Sequence, residues 1–512
     1  MRNLIKFAQK RPAIASLGYS VLKNIWNVQA NFVDYGYPSN PSHASISYDK
    51  VVTYNKNRPY GPKKKICYAP FNNLHFQMNG DVSSCSFNYD FILGNVNQAS
   101  IKEIWFGEKA ENFRKTLANY NFHKCQSCQN VLDAGNFSSF PPLKYDIYSS
   151  DATTYPTQMS FEISDLCNYE CVMCNENFSS LIRKNRAKLP PLKLRYPDAF
   201  FEELKEFIPH LKITTFIGGE PLLIKQYFTI WEMILKDNKD CLMHIQTNGS
   251  YLPPRFLEML ESGQFDLGVS IDGITKETFE SIRINANFDE VQQNIRTLKS
   301  FADRGKISMN INFCPLTLNW KELPGMVEYA SSLAVPLKIV NVENPRHLSL
   351  HHRSATYLQE ILHHYQTIHF DDIKNADSII TKKNIKALTD LIKQIEFLIA
   401  DANKREAYFE SMLNQYPQTL EGVFTELFFS NKLFANFSIE EQKNIAEEIM
   451  TSIHDKTTDI SIINRVILRV YYMLVFFDHT AESDASVNKS TAIKILKDAV
   501  AEFYLLESDN TN

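Results

Sequence analysis

The sequence predicts an α/β protein whose centre is a parallel sheet built from repeated strand–helix units. Short apolar strands alternate with helical stretches from residue 157 onward, which is typical of βα repeats. The region from residue 346 onward contains one glycine, Gly422, and carries apolar stripes at helical spacing. We therefore expect an N-terminal helix and linker over 1–60, a small α+β domain over 61–150, the sheet domain over 151–345 and an all-helical domain over 346–512.

Six strands and the helices between them are predicted in the sheet domain. The strands are 159–163, 214–217, 243–246, 267–271, 307–313 and 337–342. The helices are 178–186 with 199–208, then 226–236, 254–261, 289–303 and 320–332. Glycine is scarce, with 16 in 512 residues, yet six of these lie between Gly218 and Gly273. Four of the six sit at strand ends, and the carboxyl ends of the strands form the active face of parallel α/β barrels.

The composition is that of a folded soluble protein, with 44% hydrophobic and 22% charged residues. A net charge of −4 gives no overall electrostatic reason to bind nucleic acid or a membrane. The most apolar run, 466–477, is too short for a transmembrane helix and contains Arg469. We expect a cytoplasmic protein with no transmembrane segment and no nucleic-acid partner.

The N-terminal segment 1–28 is basic, since it carries Arg2, Lys6, Lys10, Arg11 and Lys23 and no acidic residue. It lacks the continuous apolar core of a secretion signal. We expect an amphipathic helix packed on the body of the protein, with a membrane-surface or partner helix as the alternative.

Three cysteines follow the first predicted strand within eight residues: Cys167, Cys171 and Cys174. Thiolates are natural ligands of iron–sulfur clusters, and a cubane cluster has four irons, so three thiolates leave one iron without a protein ligand. A substrate can bind to that iron. A zinc site or a loop of reduced core cysteines would also account for these residues.

A second cysteine set precedes the sheet domain and consists of Cys67, Cys85, Cys125 and Cys128. The first two flank a predicted hairpin that turns at Gly80, and the last two follow a predicted helix over 101–120. Clustered cysteines in a chain with only nine favour metal ligation in a reducing compartment. The residues themselves leave a zinc ribbon open as an alternative.

Further candidate ligand-binding residues follow the later strands. The second strand ends in Gly218-Gly219-Glu220-Pro221, where two glycines let the backbone approach a ligand and Glu220 can accept hydrogen bonds from an ammonium group. Short hydrogen-bonding side chains stand on the next three strands, namely Thr247, Asn248, Ser270 and Asn312.

The Cys-x3-Cys-x2-Cys spacing, followed one strand–helix unit later by Gly-Gly-Glu-Pro, resembles the signature of the radical S-adenosylmethionine (SAM) enzymes. The resemblance implies a partial (β/α)6 barrel in which Cys167, Cys171 and Cys174 hold a catalytic 4Fe–4S cluster. In that family the open iron chelates SAM, and an electron from the cluster cleaves SAM to a 5′-deoxyadenosyl radical. SAM contacts are accordingly expected from Gly218, Gly219, Glu220, Pro221, Thr247, Asn248, Ser270 and Asn312.

The upstream cysteine set is similar to the SPASM and twitch domains of the same family. The similarity covers residues 67–130 and includes Gly80 and the Leu93-Gly94-Asn95-Val96 run. It implies one auxiliary iron–sulfur cluster, of the 4Fe–4S type, held by Cys67, Cys85, Cys125 and Cys128. The family usually places this module after the barrel, whereas here it comes before.

These resemblances imply an enzyme that takes a hydrogen atom from a substrate, with a peptide or protein favoured. The alternatives are a small-molecule substrate such as a sugar or nucleoside and, from another class, a non-catalytic iron–sulfur or zinc sensor or scaffold. A reductant such as flavodoxin or ferredoxin is the expected partner. Nothing in the sequence assigns a role to the helical domain.

Overall fold

The computed structural model of the protein describes residues 23, 26–39, 44–89, 91–133, 135, 137, 140–148, 154–193, 195–370, 373, 376–415, 438–480 and 489–510. The helix expected over 1–28 lies outside these residues except at residues 23 and 26–28. The chain forms two compact units, Met1–Ser270 with Arg283–Asn310 and Ile271–Ile282 with Ile311–Asn512. Within the described residues, every helix is too short or too polar to cross a membrane.

Nine strands form a mixed sheet in the order β3-β2-β1-β4-β5-β6-β7-β8-β9. The strands are β1 Asn73–Phe76, β2 Asp81–Ser83, β3 Gly94–Asn95, β4 Gln158–Phe161, β5 Ile213–Phe216, β6 Leu242–Thr247, β7 Gln264–Ser270, β8 Ile307–Phe313 and β9 Leu337–Ile339. Strands β4 to β7 pair in parallel with each neighbour, and β8 pairs in parallel with β9. The predicted α/β class with repeated βα units is confirmed.

The helices of the described residues follow the strands in the expected alternation. They are α1 Tyr48–Asn57, α2 Ala69–Asn72, α3 Ile101–Phe106, α4 Glu108–Ala118, α5 Gln126–Asp133, α6 Ser180–Asn185, α7 Asp198–Phe207, α8 Lys225–Asp237, α9 Pro254–Leu260, α10 Lys276–Ile282, α11 Phe288–Asp303, α12 Leu323–Ser332, α13 Ala355–Gln366, α14 Ile379–Gln415, α15 Ile439–His454, α16 Ile460–Thr480 and α17 Lys489–Asn510.

The helix predicted over 101–120 is two helices, because the chain breaks at Gly107. This residue is extended, with φ −71° and ψ 162°, and it ends α3 and begins α4. A Cβ at this position would lie 2.3 Å from the carbonyl oxygen of Glu103, so the break depends on glycine. Ser100 and Glu103 form a capping box that fixes the start of α3.

The predicted hairpin around Gly80 exists, but its strands also extend the central sheet. β1 pairs antiparallel with β2 and parallel with β4, with Leu74 opposite Met159 and Phe76 opposite Phe161. The small N-terminal module therefore shares backbone hydrogen bonds with the first strand of the barrel region.

One face of the first unit's sheet is an aromatic core packed on helices. Phe76, Phe161 and Phe216 stack across β1, β4 and β5 with ring centroids 5.3 and 5.2 Å apart. Phe76 also packs on Phe200 of α7, and Phe216 on Trp231 of α8. Each buried aromatic ring contributes about 1.5–3 kcal/mol to folding, so this layer fixes the height and register of the strands.

The last four helices of the second unit share an apolar core. Its members lie on α14 to α17 and include Phe409, Ile445, Ile449, Val466, Ile467 and Leu496. Asn384 joins α14 to β9, because its Oδ1 accepts from the backbone N–H of Leu337 at 2.8 Å and its Nδ2 donates to Val335 at 3.0 Å.

Candidate functional site

Cys167, Cys171 and Cys174 lie together on the loop after β4. Local hydrogen bonds fix the loop: the backbone N–H of Cys167 donates to Ser180 Oγ at 3.2 Å, and that of Cys174 donates to the carbonyl of Cys171 at 3.0 Å. All three thiols are half-buried. Burial raises the pKa of Cys167 to about 12 and that of Cys174 to about 11, with smaller contributions from neighbouring thiols.

The Gly218-Gly219 turn packs directly against this loop. Both glycines have positive φ, +82° and +48°. A Cβ on Gly219 would lie 2.3 Å from the carbonyl oxygen of Leu166, and one on Gly218 would lie 2.9 Å from Cγ of Glu162. The turn therefore has no room for side chains, and it can form only where two glycines stand in sequence.

Glu220 is held at the ends of β5 and β6. It is buried, and its carboxylate accepts hydrogen bonds from Thr247 Oγ1 at 2.7 Å, from Asn248 N at 2.6 Å and from Leu222 N at 3.1 Å. Burial raises the pKa of Glu220, and the three hydrogen bonds oppose that rise. The side chain is thus fixed in one orientation beside the cysteine loop.

Two residues that the sequence reasoning missed complete the surroundings of the loop. Asn168 accepts from Asn248 Nδ2 and donates to Ser250 Oγ, both at 2.9 Å, so it ties the loop to the end of β6. Arg283 is buried with Nη1 at 3.9 Å from Cys171 Sγ. The position of Asn168 inside the cysteine motif was a usable signal, whereas Arg283 lies 112 residues beyond Cys171.

The remaining predicted SAM contacts differ in placement. Pro221 is buried and begins the short 3-10 helix Pro221–Leu223 beside Glu220. Ser270 ends β7 and accepts a hydrogen bond from Gln246 Nε2 at 2.6 Å. Asn312 belongs to the second unit, where its carbonyl accepts from Ile271 N at 2.9 Å.

The auxiliary cysteines Cys67, Cys85, Cys125 and Cys128 line one cavity with Asn88 and Tyr145. Burial raises the pKa of each thiol, to about 12 for Cys128. Asn88 Nδ2 donates to Cys125 Sγ at 3.3 Å and to the carbonyl of Lys124 at 2.8 Å. A cubane cluster takes one thiolate per iron, so four thiols around a shared space fit it chemically.

In the part of the chain that the structure describes, no three His, Cys, Asp or Glu side chains converge on one ion-sized position.

A cluster of three side chains, of which His75 and Glu162 are buried and Tyr89 is partly exposed, connects the auxiliary module to the end of β4. Glu162 accepts a hydrogen bond from Tyr89 OH at 2.8 Å, and its Oε2 lies 3.1 Å from His75 Nε2. Tyr89 follows Asn88, and Glu162 packs under Gly218. Asn88 therefore contacts an auxiliary cysteine, and Tyr89 next to it contacts Glu162 at the end of β4, beside the Gly218-Gly219 turn.

Residues 161–330 match the family model described as the radical SAM superfamily. The chain carries a radical SAM domain. Residues 67–129 match the SPASM model, described as an iron-sulfur cluster-binding domain, so this domain precedes the radical SAM domain in the chain. Both matches fall on the segments that carry the two cysteine sets.

Curated relatives resemble the radical SAM region over part of their length. A probable GTP 3′,8-cyclase of Methanocaldococcus jannaschii is 26% identical over 183 residues, which cover 36% of this chain and 57% of the relative. A GTP 3′,8-cyclase of Rhizobium etli is 26% identical over 215 residues, covering 40% and 58%. The matched segments thus span little more than half the length of these relatives.

Solved structures resemble the chain at low identity. Native anSMEcpe with bound AdoMet has 19% identity and a TM-score of 0.33, with 40% of this chain and 58% of that chain covered. Streptococcus suis SuiB bound to precursor peptide SuiA has 15% identity and a TM-score of 0.31, with 49% and 50% covered.

Proposed function

We propose that the protein is a radical SAM enzyme that takes a hydrogen atom from a peptide or protein substrate. The observation that carries the proposal is the contact of two loops: the three-cysteine loop and the Gly218-Gly219-Glu220 turn share the carbonyl of Leu166, which accepts from Glu220 N at 2.7 Å. A structural iron–sulfur or zinc scaffold has no need of a buried carboxylate at this place.

The donor set fits the two groups that this function requires. Cys167, Cys171 and Cys174 would each ligate one iron of a 4Fe–4S cluster, and Glu220 would accept from the ammonium group of SAM. A carboxylate has about four acceptor sites, and the three hydrogen bonds to Glu220 leave one for that ammonium. When bound, the cluster and SAM supply an electron and a 5′-deoxyadenosyl radical.

The residues of the chain then have binding and positioning roles. Thr247 and Asn248 orient the Glu220 carboxylate, and the two glycines let the backbone lie close to the bound group. Arg283 places a positive charge beside Cys171, and this charge favours the thiolate form that ligates iron. The cation on SAM would likewise favour the ionised form of Glu220.

For the auxiliary site we propose one 4Fe–4S cluster held by Cys67, Cys85, Cys125 and Cys128. Four thiolates leave that cluster no open iron. Its role would then be structural support together with electron transfer, and a flavodoxin or ferredoxin would supply electrons to the protein.

The substrate class rests on two observations that point in different directions. The SPASM match favours a peptide or protein, because enzymes with such modules often modify peptides. The names of the curated relatives favour a nucleotide such as GTP. A triphosphate calls for several Lys or Arg side chains, whereas strands β4 to β8 carry none and Arg283 is the cation placed beside the three-cysteine loop, so we place the peptide first.

Anaerobic reconstitution followed by iron and sulfide analysis tests both cluster assignments. About two cubanes should form, and replacing Cys167, Cys171 and Cys174 by alanine should remove one of them. Cys314→Ala is the matched control and should retain both. Reduced wild-type protein should convert SAM to 5′-deoxyadenosine, and its failure to do so, or recovery of zinc in place of iron, would overturn the proposal.

A further inference from the structure

The face of the sheet opposite the aromatic core is polar. One row of directly paired residues runs across five strands: His75, Ser160, Thr215, His244 and Asp266. Directly paired residues on neighbouring strands point to the same side of a sheet, and the next residue along each strand points to the other. The next residues on the first three strands are Phe76, Phe161 and Phe216 of the aromatic core, so the polar row lies on the opposite face of the sheet. His75 and Ser160 at one end of the row are buried, whereas His244 and Asp266 at the other end are partly exposed.

His244 and Asp266 form a hydrogen-bonded pair within this row. His244 Nδ1 lies 2.8 Å from Asp266 Oδ2, and their side chains are 24% and 25% exposed. An ionised carboxylate only accepts hydrogen bonds, so Nδ1 is the donor, and in the neutral ring the lone pair is on Nε2. A carboxylate that fixes the tautomer and orientation of an imidazole is the arrangement of a general base.

His244 lies on β6 and Asp266 on β7, and β6 leads to the proposed SAM-binding end. β6 ends at Thr247, whose hydroxyl donates to Glu220, and His244 lies three residues earlier. At about 3.3 Å per residue this is about 10 Å along the strand. Gln246 lies between them on the polar face and donates to Ser270 Oγ at 2.6 Å. Thr247 itself points to the other face, so the polar face reaches the proposed SAM site through Gln246 and Ser270, and Ser270 is one of the predicted SAM contacts.

The charge on this face restricts what can bind there. β1 and β4 to β7 contain no Lys or Arg, whereas Asp266 and Glu162 are acidic. A phosphorylated or otherwise polyanionic group would meet acidic side chains without a cation on these strands. Hydroxyl and amide groups, by contrast, find both donors and acceptors in Ser160, Thr215 and Gln246.

We propose that His244 and Asp266 are a proton-transfer dyad and that the polar face binds hydroxyl or amide groups of the substrate. In the proton-transfer step Nε2 of His244 takes a proton from a substrate O–H or N–H group, and Asp266 stabilises the resulting imidazolium. No electron changes hands in this step. The inference rests on the proposed function for its reaction, and it adds a base that neither the cluster nor the SAM contacts provide.

Carbethoxylation by diethyl pyrocarbonate, located by peptide mass spectrometry, tests the dyad before any reductant or SAM is added. The reagent attacks the unprotonated imidazole nitrogen, so His244 should react several-fold faster than His210, which is exposed in the same unit and stacks on Tyr155. His75, which is fully buried, should not react in the folded protein. Asp266→Asn should slow His244 several-fold and leave His210 unchanged.

Two results would overturn the dyad: no reaction at His244 in folded protein that reacts after unfolding, or an equal rate in Asp266→Asn. If Asp266→Asn does not fold, the wild-type rates decide, because a His244 slower than His210 contradicts an activated base. If the wild-type protein does not cleave SAM, the proposed function is wrong, but the labelling result for His244 is unaffected. The two proposals therefore fail separately.

Discussion

The carbonyl oxygen of Leu166 accepts a hydrogen bond from the backbone N–H of Glu220 at 2.7 Å. Leu166 immediately precedes Cys167, and Glu220 immediately follows the two glycines. A single oxygen thus joins the thiol-bearing loop to the turn that carries the carboxylate. Each loop supports the conformation of the other. A substitution in either one should therefore displace both the three thiols and the Glu220 carboxylate.

Replacing Gly219 by alanine should disrupt this contact. The new Cβ would meet the Leu166 oxygen at 2.3 Å, and the residue has a φ of +48°. We expect a loss of about 2–4 kcal/mol in the free energy of unfolding, from left-handed strain and overpacking together. SAM binding to reconstituted protein, measured by equilibrium dialysis, should weaken at least tenfold.

Gly305→Ala is the matched control for this change. Gly305 also has a positive φ, +69°, but a Cβ there would have no atom within 4 Å. This substitution should lower the free energy of unfolding only through conformational strain, by about 1 kcal/mol, and should leave SAM affinity unchanged. Equal losses in the two variants would show that the Leu166 contact has no special role.

The Glu220 carboxylate should make stability depend on pH in the absence of SAM. Burial raises its pKa in the folded state above the ordinary 4.5, so the folded protein holds this proton more tightly than the unfolded chain. Its contribution therefore falls as pH rises from about 4.5 to the raised value, by at most about 1.4 kcal/mol per pH unit. The free energy of unfolding should be measured with urea for wild type and Glu220→Gln across that pH window. The value for wild type minus the value for the variant should decrease as the pH rises. A difference that rises with pH would contradict the assigned direction.

Tyr89 and Glu162 should be energetically coupled, because the hydroxyl of Tyr89 donates to the buried carboxylate at 2.8 Å. Tyr89→Phe and Glu162→Gln should each destabilise the protein, and the double variant should lose less than their sum. We expect a coupling energy of about 0.5–2 kcal/mol, since part of the Tyr89 ring is solvent-exposed. A double-mutant cycle by urea unfolding measures it, and strict additivity would mean that the contact contributes nothing.

The Arg58 and Asp146 side chains form a fully buried ion pair with two hydrogen bonds of 2.8 and 2.9 Å. Arg58 also donates to the carbonyl of Ile66 at 2.8 Å, directly before Cys67. Arg58→Met leaves a buried carboxylate without its cation and should cost about 3–5 kcal/mol. It should also release iron from the auxiliary site to a chelator faster than from the catalytic one.

Lys50→Met is the control for the ion pair. Lys50 pairs with Asp133, and both side chains are about 40% exposed. Removing such a surface pair should change stability by about 0–1 kcal/mol, with no effect on iron release. Similar losses in the two variants would contradict the structural importance of the buried pair.

Much of the fold could be predicted because local patterns specify it. Alternation marked Met159 and Phe161 as one buried face, and the paired glycines marked the end of β5. The site was harder to predict from the sequence, because tertiary packing and strand register determine the positions of Arg283 and His244. His244 and Gln246 alternate with Met243 and Ile245 in the sequence, which indicates a polar face, but the partnership with Asp266 depends on strand pairing.

The break in the helix predicted over 101–120 had only a weak local signal, because a single glycine is tolerated inside a helix. The break follows from the close approach of Gly107 to the Glu103 carbonyl oxygen, which leaves no room for a Cβ. Asn312 lies on β8, and its expected contact with SAM stays a prediction. The domain boundaries and the assignment of site residues stay predictions that the experiments above address.

Because β1 pairs with β4, the auxiliary domain covers what would otherwise be an exposed edge strand of the sheet. Without residues 73–76, β4 would present a row of unsatisfied N–H and C=O groups, which is a template for adding strands from other molecules. In the intact chain the row is continued instead to β3, which is two residues long. A fragment that lacks the auxiliary domain should therefore aggregate more readily than the intact chain, which light scattering of the two proteins at equal concentration would show.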